Sequence, residues 1–399
     1  MIDVAARDEV KNRMKERIAN TERRINELAE KEVNPNSSKQ MIDLLYGKLH
    51  FPVMYGKTGK PTTDEDALLK LHKKYPSEEI LSAIISYRKD TKLVSTFLEV
   101  LLDKNNRIHT SYNASGTKNF RISSSKDLWG SGMNLQNIPK GKRAGIENIR
   151  HIFIADEGFS LVKCDLKQAE AMAVARILCR YKDYSLWDRY ANDPEFDIHK
   201  WAAAPIFHIT ENEVTKTQRD VGKISNHGGN YCAGPGVIMG LALKYGIDGI
   251  DYHMSKQIIA AKKALMPGLV KWWKDVEKQL IATRALHMCL GRNRIFFGRM
   301  DDNTVIRDAV AFEPQSTIGD VTNIMFASLY ERLKPPAIPI LQVHDECVVL
   351  TPDSYVPEVI ALMKEVSQIP LNLNKDLEPL IIPLEISVGK NWKDTKDVC

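Results

Sequence analysis

The chain contains few cysteines, and no two of them have the spacing Cys-x-x-Cys. The six cysteines are Cys164, Cys179, Cys232, Cys289, Cys347 and Cys399. This scatter argues against a structural zinc site or a disulfide framework and favours a reducing compartment. The sequence also lacks an apolar run long enough to span a bilayer, and its N-terminus lacks the apolar core of a signal peptide. We therefore expect a soluble, cytoplasmic protein without a membrane partner.

The sequence also lacks internal repeats, low-complexity tracts and long linkers. Its 399 residues are 43% hydrophobic and 27% charged, which suffices for two or three packed domains. The net charge of +5 and the pI of about 8.7 are mildly basic. This balance is compatible with a polyanionic partner but is too weak to establish one.

The N-terminal part of the chain is predicted to be helical. Residues 9–31 are highly charged, and their apolar members fall on one helical stripe, which is typical of a surface helix. The stripe consists of Met14, Ile18, Ile25 and Leu28. Residues 34–40 are expected to end this helix and to cap the next one. After a basic loop at 56–63, a helix is predicted at 64–71 and a helical pair from 77 to about 102.

The remainder of the chain combines loops, strands and helices. Residues 104–150 are rich in Asn, Ser, Gly and Arg, so hairpins and loops are expected. A strand at 159–165 and a helix at 168–179 follow, and residues 183–287 are predicted to be mostly helical. Residues 338–350 indicate two short strands.

Two apolar runs end in carboxylates, namely Asp165 and the pair Asp345-Glu346. Asp165 alone is better explained as a helix cap, because Gln168 three residues later completes a capping-box pattern. Asp345 is harder to explain structurally, because acids and His344 occupy a turn that would favour Asn-Gly. Crowded carboxylates favour a bound cation, and hard oxygen ligands favour Mg²⁺. Carboxylates that share Mg²⁺ ions are suited to nucleotidyl transfer.

Between these segments, Arg219, Lys223, His227 and Tyr231 recur every four residues. On a helix each such step drifts by only about 40°, so the four side chains share one face. Cations near a helix start suit a triphosphate, and a flat ring further along suits a base. The alternative is an ordinary solvated cationic face, and three glycines in this segment weaken the helix by roughly 1 kcal/mol each relative to Ala.

A polar segment combines Arg121 and Ser123–Ser125 with Asn134–Pro139. Such amides and hydroxyls can contact sugars and minor-groove acceptors without reading the base sequence. An ordinary polar loop is the alternative interpretation. His199, taken singly, is better explained as a core histidine.

Taken together and in this order, the motifs resemble the polymerase domain of family A DNA polymerases over essentially the whole chain. Residues 33–40 and 57–61 resemble the family's thumb, and residues 121–124 and 134–139 resemble its primer–template segment. The first and last palm motifs correspond to residues 165–170 and 344–346. The fingers helix corresponds to residues 219–231, and the fingers–palm connections correspond to residues 291–294 and 315–317. The resemblance implies an α+β right-hand fold with an antiparallel palm sheet. The implied domains are mainly thumb at 1–110, palm at 111–182, fingers at 183–300 and palm again at 301–399.

The resemblance also implies roles for individual residues. The implied catalytic residues are Asp165, Asp345, Glu346 and Lys223. Asp165, Asp345 and the Leu166 carbonyl would hold two Mg²⁺ ions, for which Mn²⁺ is an expected substitute, with Glu346 nearby. The implied nucleotide-binding residues are Arg219, Lys223, His199, His227, Tyr231, Gln168 and Glu170. Among these, Lys223 would protonate the leaving group, Glu170 would exclude a 2′-hydroxyl beneath the sugar, and Tyr231 would lie beside the templating base. The implied DNA contacts are Arg121, Gln342 and His344 at the primer end, with Asn134, Gln136, Asn137 and Gln315 along the duplex.

Several positions depart from the family pattern. His227 replaces the usual Phe or Tyr, Cys232 replaces a common Gly, Leu166-Lys167 replaces Tyr-Ser, and Phe120 replaces the Gly that usually precedes the arginine. Neither aspartate is changed. The resemblance therefore predicts an active but divergent enzyme, closer to phage or viral members than to cellular ones, in which case its compartment would be the host cytoplasm.

The sequence thus predicts a template-directed DNA polymerase that adds deoxynucleotides to the 3′ end of primer–template DNA. We expect no 3′–5′ exonuclease domain, because the sequence that resembles the thumb begins within the first residues. The basic residues do not identify an exonuclease or replisome partner. Two alternatives stay open: a single-subunit RNA polymerase, against which Glu170 argues, and an inactive primer–template clamp, against which the two aspartates argue.

Overall fold

The computed structural model describes residues 1–56, 58–141 and 147–398. Lys57 of the predicted thumb loop and Cys399 lie outside these described residues. The chain divides into two compact units. Unit 1 contains residues 1–112, 124–157 and 390–395, and unit 2 contains residues 113–123, 158–389 and 396–399.

Unit 1 is built mainly of helices. They are α1 (Val4–Ala29), α2 (Ser38–Ile42), α3 (Glu65–Lys74) and α4 (Glu79–Leu93), with π-helical turns at Asp43–Lys48 and Val94–Leu98 and 3₁₀ turns at Leu135–Asn137 and Ile149–Ile152. The short strands β1 (Ser111–Asn113) and β2 (Ser123–Ser125) lie where the chain passes between the units. The side chains of Asp3, Ser37 and Asp64 cap α1, α2 and α3, as such residues do before a helix.

The predicted apolar stripe and the predicted helical pair had different outcomes. Met14 and Ile25 of α1 are 1% and 0% exposed, so the stripe prediction is confirmed for these two residues. The prediction of two helices between 77 and 102 is wrong, because α4 runs directly into a π-helical turn. No Gly or Pro interrupts residues 77–102, so nothing in this segment ends the helix early.

Unit 2 combines a sheet with helices. Its helices are α5 (Ala169–Cys179), α6 (Ser185–Asn192), α7 (Ile198–Phe207), α8 (Lys216–Gly229), α9 (Pro235–Tyr245), α10 (Tyr252–Leu265), α11 (Gly268–Thr283), α12 (Asn303–Arg332) and α13 (Val356–Val366), with 3₁₀ turns at Glu211–Glu213 and Asp353–Tyr355. Its strands are β3 (Phe159–Leu166), β4 (Ala285–His287), β5 (Asn293–Ile295), β6 (Ile338–Val343), β7 (Glu346–Pro352), β8 (Leu384–Gly389) and β9 (Thr395–Asp397), of which the first residue of β9 is counted with unit 1.

The main sheet has the strand order β6-β7-β3-β8-β9. The strand β3 is central and pairs antiparallel with β7 and β8, and β6 pairs antiparallel with β7. Buried residues of β3 and β7 pack with the helices α5, α11, α12 and α13 into one core. A second apolar cluster joins α8, α9 and α10. Within the described ranges, no helix has the length and hydropathy of a membrane span.

Candidate active site

The first candidate carboxylate lies in a strand rather than at a helix start. Asp165 belongs to β3, and α5 begins only at Ala169. The residue before α5 is Gln168, which has a left-handed backbone with φ of 48° and makes no side-chain capping bond. The interpretation of Asp165 as a helix cap is therefore wrong, and its carboxylate does not serve the start of α5.

The second candidate carboxylate lies beside the first. In the β3–β7 ladder Asp165 is opposite Glu346, and the Leu166 N–H donates to the Asp345 carbonyl oxygen at 3.3 Å. This pairing brings together two segments that are far apart in the sequence. The predicted turn at His344-Asp345 between β6 and β7 is confirmed.

The turn itself contains one residue with a left-handed backbone. His344 has φ of 59°, a left-handed conformation that is uncommon for a residue other than glycine. Its side chain is exposed, Asp345 is half-buried, and Glu346 is 3% exposed.

The donor set at this edge of the sheet fits a hard cation. The candidate donors are the carboxylates of Asp165, near the end of β3, and of Asp345, in the neighbouring turn. Within the described part of the chain, no group of three or more His, Cys, Asp or Glu side chains is arranged as a closed metal site. Few protein ligands are what Mg²⁺ requires when water and substrate phosphates complete its octahedral shell.

The second half of the candidate site is the junction of α7 and α8. Asp197 caps α7, because its Oδ1 accepts hydrogen bonds from the N–H groups of His199 and Lys200 at 2.9 and 3.2 Å. Its Oδ2 accepts a hydrogen bond from Arg219 Nε at 2.6 Å. Burial alone would raise the pKa of Asp197, but the hydrogen bonds from Arg219 and from the backbone lower it. The carboxylate therefore stays ionised and orients Arg219.

Glycine allows the two helices to approach closely. A Cβ atom at Gly222 of α8 would lie 2.0 Å from the backbone oxygen of His199. No side chain can be accommodated at that distance, so the glycine that weakens the helix in isolation is required by the packing of α7 on α8.

The ladder of four side chains lies only partly on one helix. Arg219, Lys223 and His227 belong to α8, but α8 ends at Gly229, and Tyr231 follows in a turn before Cys232, whose φ is 56°. The prediction that one helix carries all four residues is thus wrong for Tyr231. Gly228 and Gly229 are the last two residues of α8, and glycine has a low helix propensity, so the helix is intrinsically weak where it ends.

Most of the predicted nucleotide-binding residues share one cavity. The cavity has a volume of about 450 Å³. The predicted residues that line it are Arg121, Gln168, Glu170, His199, His227, Tyr231, Gln315 and Asp345. A neighbouring cavity of about 260 Å³ is lined by Gln168, Asp197, His199 and Arg219. Gln168 and His199 border both cavities, so the two spaces are adjacent candidates for a base, a sugar and phosphates.

Lys223 does not line either of these two cavities. Its ammonium lies 5.4 Å from the centre of the Tyr245 ring, a cation–π distance. The side chain is half-buried on the same helix as Arg219. Lys223, which was predicted to bind the triphosphate, therefore packs its ammonium on the Tyr245 ring instead of lining either cavity.

Glu170 is held at both carboxylate oxygens. Arg121 donates to Oε1 at 2.7 Å, and the Tyr231 hydroxyl donates to Oε2 at 2.8 Å. Burial, followed by the negative charge of Glu170, raises the pKa of Tyr231 well above its ordinary value. Tyr231 therefore remains a neutral donor, and Glu170 is fixed at the wall of the larger cavity.

His199 is neutral at physiological pH. Burial, followed by the positive charge of Arg219, lowers the pKa of His199 to about 4. Its ring centre lies 6.3 Å from that of His227. The imidazole can therefore offer one N–H and one acceptor nitrogen, rather than a charge.

The predicted primer contacts of unit 2 are themselves supported by amides. Gln342 is 2% exposed, and its Nε2 donates to Asn323 Oδ1 at 3.0 Å, while Asn323 Nδ2 donates to the Phe120 carbonyl at 2.9 Å. Gln315 accepts a hydrogen bond from Asn119 at 2.5 Å. These bonds tie the segment before Arg121 to α12 and to β6.

The predicted duplex contacts Asn134, Gln136 and Asn137 belong to unit 1. Asn134 caps a 3₁₀ turn, because its side chain accepts a hydrogen bond from the Gln136 N–H at 2.9 Å. Gln136 is half-buried and Asn137 is exposed. The side chain of Asn134 thus stabilises the local turn.

Sequence reasoning missed three residues of this region. Asp197 could have been found, since an Asp before an apolar helix start is a standard capping signal. Asn226 and Lys262 could not, because a buried amide and a buried lysine have no recognisable spacing. Lys262 is 2% exposed and donates to Asn226 at 2.6 Å.

Comparison with known proteins adds a family and a fold. The sequence model described as DNA polymerase family A matches residues 4–394. DNA polymerase I of Chloroflexus aurantiacus is 29% identical over 404 residues, covering 95% of this chain and 39% of that protein. DNA polymerase I of Helicobacter pylori is 30% identical (94% of this chain, 40% of that protein), and the thermostable enzyme of Thermus aquaticus is 30% identical (99% and 46%). This chain spans less than half the length of these curated relatives.

A solved structure has the same fold. It is described as the POL domain of Pol1 from M. smegmatis in complex with a DNA primer-template and dNTP. The TM-score is 0.83 at 24% sequence identity, over 98% of this chain and 67% of that one. The α+β, right-hand fold class predicted from the sequence is thereby confirmed.

Proposed function

Because the chain belongs to DNA polymerase family A, we propose that it extends a DNA primer by template-directed addition of deoxynucleotides. The observation that carries the proposal is a single cavity that is lined by Asp345, Glu170, His199 and Tyr231. One carboxylate for a metal ion, a restricted space for a sugar and a donor for phosphates thus border one space, and Asp165, which does not line it, belongs to the strand that is paired next to Asp345.

Asp165 and Asp345, with the Leu166 carbonyl, are the residues that we assign to two Mg²⁺ ions. When bound, such ions would lower the pKa of the primer 3′-hydroxyl and neutralise the leaving pyrophosphate. Glu346 is opposite Asp165 in the ladder, and its burial suits a supporting role rather than direct contact with substrate. Mn²⁺ is expected to replace Mg²⁺, because it accepts the same oxygen ligands.

The remaining roles concern the nucleotide. Arg219, oriented by Asp197, would bind the triphosphate as a fixed positive charge, and neutral His199 would donate one N–H to it. Lys223 would leave the Tyr245 ring and give a proton to the departing pyrophosphate oxygen. Tyr231, with His227 nearby, would border the base.

Contacts to DNA are assigned from the same resemblance. Arg121, Gln342, His344 and Gln315 would contact the primer end and the adjacent duplex, and Asn134, Gln136 and Asn137 the duplex. We also assign residues 1–110 mainly to a thumb, 111–182 and 301–399 to a palm, and 183–300 to fingers. Uncharged amides are suited to binding the duplex, because they can contact sugars and minor-groove acceptors whatever the base sequence of the DNA.

Primer extension tests the proposed function directly. With a labelled primer, a longer template, Mg²⁺ and one deoxynucleotide at a time, the chain is expected to add only the nucleotide complementary to the template. Omitting the divalent ion should stop the reaction. Binding of primer–template without extension would refute the proposal and support the inactive clamp, and a preference for ribonucleotides would support the RNA polymerase alternative.

Glu170→Ala is expected to relax sugar discrimination. The carboxylate is fixed by Arg121 and Tyr231 at the cavity wall, where its stem would fill the space that a 2′-hydroxyl needs. Opening that space should raise the ratio of kcat/KM for a ribonucleotide to that for the matching deoxynucleotide by roughly 10–200-fold, the usual range for one group in a pocket.

Two further variants serve as controls for this prediction. Tyr231→Phe removes one hydrogen bond but leaves the Glu170 stem in place, so it should keep most of the discrimination. Glu170→Gln keeps the volume and should also discriminate. An unchanged ratio in Glu170→Ala would assign Glu170 to helix stabilisation, where an acid in a first turn contributes roughly 0.3–1 kcal/mol.

A further inference from the structure

A buried lysine that the proposed mechanism does not use lies behind the nucleotide cavity. Lys262 of α10 is 2% exposed, and its Nζ donates to Asn226 Oδ1 at 2.6 Å. Its stem packs on α8, where a Cβ at Gly229 would lie 2.9 Å from Lys262 Cγ. Burying a lysine beside a neutral amide is unfavourable, so this arrangement calls for an explanation beyond packing.

The lysine fixes the orientation of the Asn226 amide. Asn226 is 5% exposed, and its Nδ2 donates to the Ile198 carbonyl at 3.0 Å. That carbonyl can only accept, so Nδ2 must face α7, and the amide then presents Oδ1 to Lys262, whose N–H holds it in this orientation. The same Nδ2 lies 3.2 Å from His199 Nδ1.

The amide in turn determines which ring nitrogen of His199 carries the proton. An Nδ1 atom that faces an N–H donor must be the acceptor of the imidazole. Because His199 is neutral, its single ring proton then belongs to Nε2, on the opposite edge of the ring. The ring borders both cavities, so this N–H is available to a phosphate oxygen.

We propose that Lys262 is a positioning residue that acts through Asn226 to hold His199 as the Nε2–H tautomer and thereby to provide a donor for the nucleotide triphosphate. The donation to the triphosphate rests on the proposed function, whereas the tautomer of His199 does not. Burial lowers the pKa of Lys262 to about 7, and an N–H remains for Asn226 in either protonation state. The relay consists of Lys262, Asn226 and His199.

The tautomer is measured by NMR on the whole chain labelled with ¹⁵N-histidine. Ten histidines are present, and the His199 signals are assigned as those missing from His199→Gln. In the wild type, His199 should show a protonated Nε2 and an unprotonated Nδ1. In Lys262→Met, which removes the donor but keeps an unbranched stem, the two nitrogens should approach a mixed-tautomer average. A protonated Nδ1 in the wild type, or an unchanged spectrum in Lys262→Met, would overturn the proposal.

Nucleotide kinetics give the functional readout. Lys262→Met should raise KM for the deoxynucleotide about tenfold, which corresponds to one weakened hydrogen bond to a charged phosphate, with a smaller effect on kcat. The matched control is Lys256→Met, since Lys256 is an exposed lysine of the same helix and should leave both constants unchanged. Equal KM values for Lys262→Met and the wild type would remove Lys262 from nucleotide binding.

Asn226→Asp keeps the test decisive if Lys262→Met does not fold. The new carboxylate can pair with Lys262, and it can only accept from His199, so the ring proton should move to Nδ1. A protonated Nε2 together with an unprotonated Nδ1 in this variant would contradict the relay. If the wild type does not extend primers at all, the proposed function fails, while the tautomer spectra still decide whether the relay exists.

Discussion

Asp345→Asn is expected to abolish nucleotide addition and to leave the affinity for primer–template DNA nearly unchanged. The substitution keeps the shape of the side chain but removes the negative charge of a carboxylate that we propose binds both metal ions. The loss of rate should be at least about 10³-fold, because it exceeds the usual cost of removing a single stabilising donor. Binding should persist, because backbone phosphate contacts dominate the affinity of proteins for DNA. Asp165→Asn should behave in the same way.

The measurement pairs single-turnover extension with a binding titration at the same salt concentration. Glu358→Gln is a suitable control, since Glu358 is an exposed acid on α13, which packs on the same sheet. It should retain the wild-type rate. Appreciable extension by either aspartate variant would remove that carboxylate from the mechanism.

Lys223→Ala is expected to slow the chemical step by on the order of 10²–10³, the typical cost of losing one group that stabilises developing charge. Its effect on primer–template binding should be small. The reason is electrostatic, because the ammonium would meet the negative charge that grows on the leaving oxygen only in the transition state. Single-turnover rates at saturating deoxynucleotide isolate this step.

The cation–π contact of Lys223 requires its own control. Tyr245→Leu removes the ring but leaves the ammonium, so it should change stability more than rate. Lys216→Ala, at an exposed lysine of the same helix, should change neither. If Lys223→Ala and Lys216→Ala have the same single-turnover rate, Lys223 belongs to a solvated face and not to the mechanism.

Part of the local structure of this chain could be predicted from the sequence, although α12, α13, β8 and β9 were not. Apolar runs predicted β3, β6 and β7, and the residue pattern predicted α5 and the turn at His344-Asp345. These features depend on neighbours within a few residues, so side-chain periodicity and turn chemistry determine them. The order of several short motifs also predicted the family, which the match over residues 4–394 confirms.

Tertiary structure decided the features that depend on packing between distant segments. Asp165 alone favoured a helix cap, and only its pairing with β7 placed it beside Asp345. Gly222 looked like a helix weakener, and only the approach of α7 revealed why no side chain is accommodated there.

The bond between Lys262 and Asn226 joins residues 36 positions apart that share no motif. In water a lysine and an amide have no reason to associate. Burial supplies that reason, because a polar group removed from solvent must find its partners within the protein.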